Sequence, residues 1–128
     1  MIREKSLEKN IHLLGYVDDA YLPSLFSNAV GFVFPSLLEG FGLPVLEAMA
    51  YGCPVISSNG GSLPEVAGDA AVLFDPTDHN ELCEAMIQLS QSPELREALR
   101  TKGLARASNF RWEETIHRYL KAYRNSRT

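Results

Sequence analysis

Val30-Gly-Phe-Val-Phe-Pro-Ser-Leu-Leu-Glu-Gly-Phe-Gly-Leu-Pro-Val-Leu-Glu-Ala-Met-Ala-Tyr-Gly-Cys-Pro-Val-Ile-Ser57 reads as strand, loop, helix and strand. Val30 to Phe34 is apolar throughout, which marks a strand covered on both faces, and Pro35-Ser36 ends it. Pro44 stands in a first-turn position, where a missing N–H costs nothing, and Gly52 stops the helix that runs from Leu43 to Tyr51. Pro54-Val-Ile-Ser57 is the next strand.

The same alternation extends outward. Upstream, Ile11-His-Leu-Leu-Gly-Tyr-Val17 reads as a short buried strand, and Asp18-Asp19 caps a helix with apolar positions at Leu22, Leu25 and Phe26. Downstream, the loop Ser58-Asn-Gly-Gly-Ser62 leads to a strand at Ala70-Ala-Val-Leu-Phe74, closed by Asp75-Pro76. The pattern is then helical to the end, with Leu82, Ala85, Met86 and Leu89 on one helix and Leu95, Ala98 and Leu99 on the next. Trp112, Ile116, Tyr119, Leu120 and Tyr123 stripe a terminal helix. The expected fold class is α/β, a doubly wound parallel sheet of about four strands with helices on both faces and a helical C-terminal part.

Composition fits one globular domain over residues 1–128: 45% of residues are apolar and 22% charged, which excludes disorder and fibrous repeats. No apolar run approaches the roughly 18 residues of a membrane span, and Met1 to Asn10 lacks the apolar region of a signal peptide. Cys53 and Cys83 sit among apolar neighbours and read as buried, reduced thiols of a cytoplasmic protein. The net charge of -4 hides an asymmetry. No Lys or Arg occurs from Asn10 to Pro93, where ten Asp and Glu residues fall, whereas nine Lys and Arg residues follow from Arg96 onward. So acidic a body excludes nucleic acid as a partner, since phosphate neutralisation would fall entirely on the tail.

Ligands of an open parallel sheet bind at the carboxyl ends of its strands, which directs attention to the loop Pro35 to Gly42. Gly40 and Gly42 allow positive φ and close backbone approach, and the helix starting near Leu43 offers free amides and the positive end of its dipole. This is an anion site made without side-chain cations. Glu39 and Glu47 flank it, and a carboxylate beside a phosphate site is unfavourable unless it binds something else. A sugar or ribose diol is the natural candidate, because a carboxylate accepts two hydrogen bonds from one. The residues therefore point to a phosphorylated sugar or a nucleotide. His12, His79 and His117 are scattered and form no ligand cluster. The basic terminal helices read as a solvated face or, more sharply, as a contact with an anionic membrane surface.

The chain resembles glycosyltransferase family 4 (group 1), a retaining, nucleotide-sugar-dependent family with the two-domain GT-B fold. The resemblance runs from Ile11-His-Leu-Leu-Gly-Tyr-Val through Pro35-Ser, Glu39-Gly-Phe-Gly-Leu-Pro-Val-Leu-Glu-Ala-Met-Ala50, Gly52-Cys-Pro-Val and Gly60-Gly-Ser-Leu-Pro-Glu-Val66, and on to Leu73-Phe-Asp-Pro76 and Phe110-Arg-Trp112. It implies that Glu39 holds hydroxyls of the transferred sugar and stabilises charge at its anomeric carbon, the catalytic role. It implies that Glu47 holds the ribose hydroxyls, and that the amides of Phe41, Gly42 and Leu43 meet the diphosphate and sugar. The backbone near Tyr16 and Val17 would line the base pocket, and Gly60, Gly61 and Glu65 would neighbour the donor. The resemblance implies no metal and no cofactor beyond the nucleotide-sugar donor. A sugar or lipid-linked acceptor would complete the reaction.

Against the family pattern, the chain reads as a partial C-terminal donor-binding domain. It lacks the N-terminal acceptor domain, and it lacks the two strands and helical connection that carry an Arg and a Lys for the diphosphate. Those strands would lie between the Ile11 and Val30 strands, so these two are expected to pair directly, or a second copy to cover the exposed edge as a homodimer. Alone, the chain is expected to turn over no substrate, because one wall of the interdomain cleft is absent. The alternatives are a sugar-nucleotide epimerase of the same architecture and a non-catalytic nucleotide-sugar-binding module. A receiver domain fails for want of an acceptor Asp and a late Lys. A dinucleotide-binding protein fails because Val45 stands where its third glycine belongs. The donor sugar, base, acceptor and linkage are not legible, nor is the origin of the truncation.

Overall fold

The computed structural model describes residues 3–125. Three parallel strands, β1 (Phe32–Phe34), β2 (Val55–Ser58) and β3 (Ala71–Phe74), lie in the order β1-β2-β3. Phe32 is in register with Val55, and Val55 with Ala71. The helices are α1 (Leu22–Asn28), α2 (Leu43–Ala50), α3 (Leu63–Ala67), α4 (His79–Gln91), α5 (Pro93–Ser108) and α6 (Trp112–Asn125). An α/β fold with a parallel sheet is what the alternating pattern predicts.

Strand side chains alternate between two faces, and each face has its own core. Phe32, Phe34, Val55 and Ala71 meet Val45, Met49, Leu63 and Val66 of α2 and α3. Val33, Ile56, Val72 and Phe74 meet Ala85 and Leu89 of α4 and Leu99 of α5. The central strand β2 is buried at every position, as a strand paired on both edges and covered on both faces must be. α2 carries Val45, Ala48 and Met49 fully buried on one side. Burying a side chain such as Met49 contributes roughly 1.5–3 kcal/mol. α5 runs past both cores: Leu99 belongs to the α4 side, while Ala107 packs on the α2 side.

Two expectations about the strands are corrected. Ile11–Val17 forms no strand, so the sheet has three strands and not four, and this segment does not pair with β1. A strand exists only where a neighbour accepts its ladder of hydrogen bonds. Here Leu13 is 84% exposed and Tyr16 89% exposed, and the amide of Ile11 bonds locally to the Leu7 carbonyl. For the same reason β1 is half-buried and not covered throughout, since it lies at an edge of the sheet and Val30 is exposed. Asp18 does act as a cap, its carboxylate accepting from the Ala20 amide at 2.9 Å. Cys53 is buried as expected, but Cys83 is exposed, because it stands off the Leu82–Ala85–Leu89 face of α4.

Candidate functional site

At the carboxyl end of the sheet two loops are stitched together. The Ser58 hydroxyl donates to the Ser36 carbonyl, and Ser62 donates to the Glu39 carbonyl from its amide at 3.2 Å and its hydroxyl at 3.1 Å. Gly60 and Gly61 lie so close to the first loop that a Cβ at Gly61 would collide with the Glu39 carbonyl oxygen and stand 3.0 Å from its nitrogen. Gly61 also has φ +58°. The two glycines are thus more than a turn: they permit the contact that seats Glu39. α3 begins one residue further on, after Ser62, a short helix in a stretch to which the sequence pattern assigns no element.

Gly42 caps α2 in the left-handed region, φ 97° and ψ 39°, with no side-chain cap. A Cβ there would also stand 2.7 Å from Cδ2 of Leu63. Gly40, by contrast, has open space around it and no positive φ, so the fold itself does not demand glycine at that position. The amides of Phe41, Gly42 and Leu43 donate to no acceptor among the described residues. They form the positive end of α2. Glu39 is half-buried beside this terminus, and Glu47 is exposed about one turn along α2.

The outer face of α2 forms one wall of a cleft of about 550 Å³, built from Leu43, Leu46, Glu47 and Ala50 with Phe41 in front. Phe110 and Arg111, with Tyr119 of α6, form the opposite wall. Phe41 and Phe110 meet edge to face, their ring centroids 6.1 Å apart. Phe41, Leu43 and Glu47 therefore line one cleft, while Glu39 and Gly42 are not among its lining residues. Tyr16 and Val17 line a separate groove of about 510 Å³ with Asp18, Tyr21 and Leu25. Glu65 lines neither; it is exposed in the first turn of α3.

Sequence reading did not single out Phe110, Arg111 or Tyr119 as site residues. Their place depends on how α5 returns across α2, and the Phe110-Arg-Trp112 motif was the signal that could have found them. The basic segment is not simply a solvated face. Arg106 donates from Nε to the Val66 carbonyl at 2.9 Å and from Nη2 to the Glu65 carbonyl, and its guanidinium lies 5.1 Å from the Phe110 ring centroid. Lys102 pairs with Asp69 at 2.9 Å, and that hydrogen bond with the ammonium charge holds the Asp69 carboxyl below its ordinary range. Burial raises the Cys53 thiol, against a smaller opposite pull from Arg100.

A parallel sheet covered on both faces, with its carboxyl-end loops shaped around a helix N-terminus, defines a Rossmann-like α/β domain. The chain belongs to the glycosyl transferases group 1, whose family model matches residues 1–106. It is 44% identical over 124 residues to O-antigen chain mannosyltransferase B of Escherichia coli, covering 97% of this chain and 32% of that protein. It is 35% identical over 127 residues to MMP alpha-(1->4)-mannosyltransferase of Mycolicibacterium hassiacum, covering 96% of this chain and 31% of that protein. Among solved structures, sucrose-phosphate synthase of Thermosynechococcus elongatus superposes with a TM-score of 0.87 at 32% identity, over 97% of this chain and 32% of that one. The C-terminal domain of the group 1 glycosyl transferase LpcC of Francisella tularensis superposes with a TM-score of 0.74 at 30% identity, over 84% of this chain and 57% of that one. The chain spans about a third of the length of the two mannosyltransferases.

Proposed function

We propose that the chain is the donor-binding part of a retaining family 4 glycosyltransferase of the GT-B type, which transfers a sugar from a nucleotide sugar to a sugar or lipid-linked acceptor. The observation that carries this reading is the set of unpaired Phe41, Gly42 and Leu43 amides that open α2, with half-buried Glu39 in the loop just before them and exposed Glu47 about one turn along the helix. In this reading the Phe41, Gly42 and Leu43 amides receive the diphosphate without a metal, and Glu47 accepts hydrogen bonds from the ribose diol. Glu39 holds hydroxyls of the sugar and balances the positive charge that develops at the anomeric carbon as the bond to the leaving phosphate breaks. Tyr16 and Val17 line the base, and Gly60, Gly61 and Glu65 border the donor.

Mannose is the sugar to test first, since two of the similar proteins are named mannosyltransferases. The unpaired outer edge of β1 is covered by further strands of a larger enzyme, in keeping with the length of those relatives, or by a second copy. By itself the chain supplies the donor half and transfers no sugar. The reaction belongs to the cytoplasm. Among the described residues no helix is long and apolar enough to cross a membrane. A lipid-linked acceptor would be met by peripheral contact through the basic terminal helices.

The test is titration of GDP-mannose and UDP-glucose against the chain, followed by calorimetry or NMR. Binding of either is expected, and Glu47→Ala is expected to weaken it at least about tenfold, the worth of a single hydrogen bond to a charged group. Because Glu47 is exposed and outside the core, the variant keeps its thermal midpoint. Unchanged affinity in Glu47→Ala, or no binding of either compound, overturns the reading.

A further inference from the structure

We infer that Ser62 is a positioning residue for Glu39, an inference that rests on the donor-site reading above. Ser62 immediately precedes α3, where a serine hydroxyl ordinarily accepts from a first-turn amide. No such cap forms here. The hydroxyl instead donates to the main-chain carbonyl of Glu39 at 3.1 Å, and the Ser62 amide donates to the same oxygen at 3.2 Å. Both lone pairs of that carbonyl are thereby occupied by one residue, 23 positions along the chain.

The carbonyl belongs to the peptide that follows Glu39, so holding it fixes the plane from which the Glu39 side chain is presented. Among the described residues no other group donates to this carbonyl. Gly40 has no atom within 4 Å of its Cβ position, and Leu37 and Leu38 are exposed. Ser62 is itself anchored. Arg106 holds the Val66 and Glu65 carbonyls at the other end of α3, and Leu63, Val66 and Ala67 are buried in the core. The clamp therefore runs from a core-packed helix to the backbone of the carboxylate that would meet the sugar. A group meant to stabilise developing charge is effective to the extent that it is held in place beforehand.

Calorimetry of the chain with GDP-mannose and with GDP separates the sugar contribution, read as the ratio of the two affinities. Ser62→Ala is expected to reduce that ratio roughly fivefold, the worth of one neutral hydrogen bond, while GDP affinity stays unchanged. Ser62→Thr keeps the hydroxyl and is expected to restore the ratio. Where the alanine variant unfolds, Ser62→Cys is read in its place, with the same size and a weaker donor. Equal loss of GDP and GDP-mannose affinity would show a merely structural residue and overturn the inference. A Glu39→Gln variant that abolishes the ratio while Ser62→Ala preserves it overturns the inference and leaves the donor site standing. A wild-type chain with no preference for GDP-mannose, or a ratio untouched by Glu39→Gln, removes the donor-site reading and the clamp with it.

Discussion

Replacing Gly61 by alanine tests whether the glycine pair seats the Glu39 loop. At φ +58° an L side chain costs about 1–2 kcal/mol, of which about 0.5 is returned by the stiffer unfolded chain. The added Cβ would also collide with the Glu39 carbonyl oxygen. That atom is backbone, and no rotamer change can move it away. One of the two loops must shift, and the shift stretches the two bonds from Ser62 to the same oxygen, worth about 1 kcal/mol together or more. The total is a destabilisation of about 1.5–2.5 kcal/mol, or a fall of about 6–10 °C in thermal midpoint for a domain of this size. Gly40→Ala is the matched control, since its Cβ would meet nothing within 4 Å and its φ is not positive. Its effect is expected within about 0.5 kcal/mol of zero. Urea denaturation followed by circular dichroism measures both, compared at equal slope. If Gly61→Ala and Gly40→Ala unfold at the same midpoint, the close approach of the two loops is not what holds them.

Asp69 titrates below its ordinary value because of Lys102, so its contribution to stability is present above the unfolded carboxyl value and is lost as pH falls through the folded one. Urea midpoints measured downward from about pH 5 are expected to fall more steeply in the wild type than in Lys102→Met, and identical acid limbs would refute the pairing. Asp75, lowered by its hydrogen bonds to Thr77, keeps its share in both. Cys83 is exposed and Cys53 buried with a raised thiol, so a disulfide reagent is expected to modify one thiol quickly in the native chain and the second only on unfolding. Two thiols of equal rate would contradict the burial of Cys53.

What the sequence made legible is what depends on neighbours close in the chain. Pro44 and Gly52 bound α2 correctly, because a first-turn proline and a glycine stop act locally. β2 and β3 read as apolar runs between turn residues; β2 lies one position further along and β3 starts one residue later, which is the freedom a ladder leaves at its ends. Ile11–Val17 misled for the opposite reason. Its composition suits a strand, but strand formation needs an edge to pair with, and that is not a property of the seven residues. α3 escaped notice because Ser62 and Gly61, which read as loop residues, serve the tie to Glu39 across 23 positions. Glu39 and Glu47 were visible as a spaced pair, whereas the far wall of the cleft, Phe110, Arg111 and Tyr119, was not. Those residues lie more than sixty positions from Glu47, and only the packing of α5 along α2 brings them near.

The stretch from Asn10 to Pro93 without a single Lys or Arg takes on a definite meaning in three dimensions. α5 carries Lys102 and Arg106 back onto α3, where they meet Asp69 and the helix-end carbonyls of Glu65 and Val66. A cation at the C-terminal end of a helix is the favourable arrangement, and it leaves the acidic body with local partners on that side. At the N-terminal end of α2 the balance differs. The amides of Phe41, Gly42 and Leu43 are positive without any side chain, and Arg111, at the junction of α5 and α6, is the cationic residue lining the cleft that Glu47 shares. An anion approaching α2 therefore meets backbone first. Any side-chain cation that helps to hold it must come from that junction or from outside these residues, because the loops that shape the site contain no Lys or Arg.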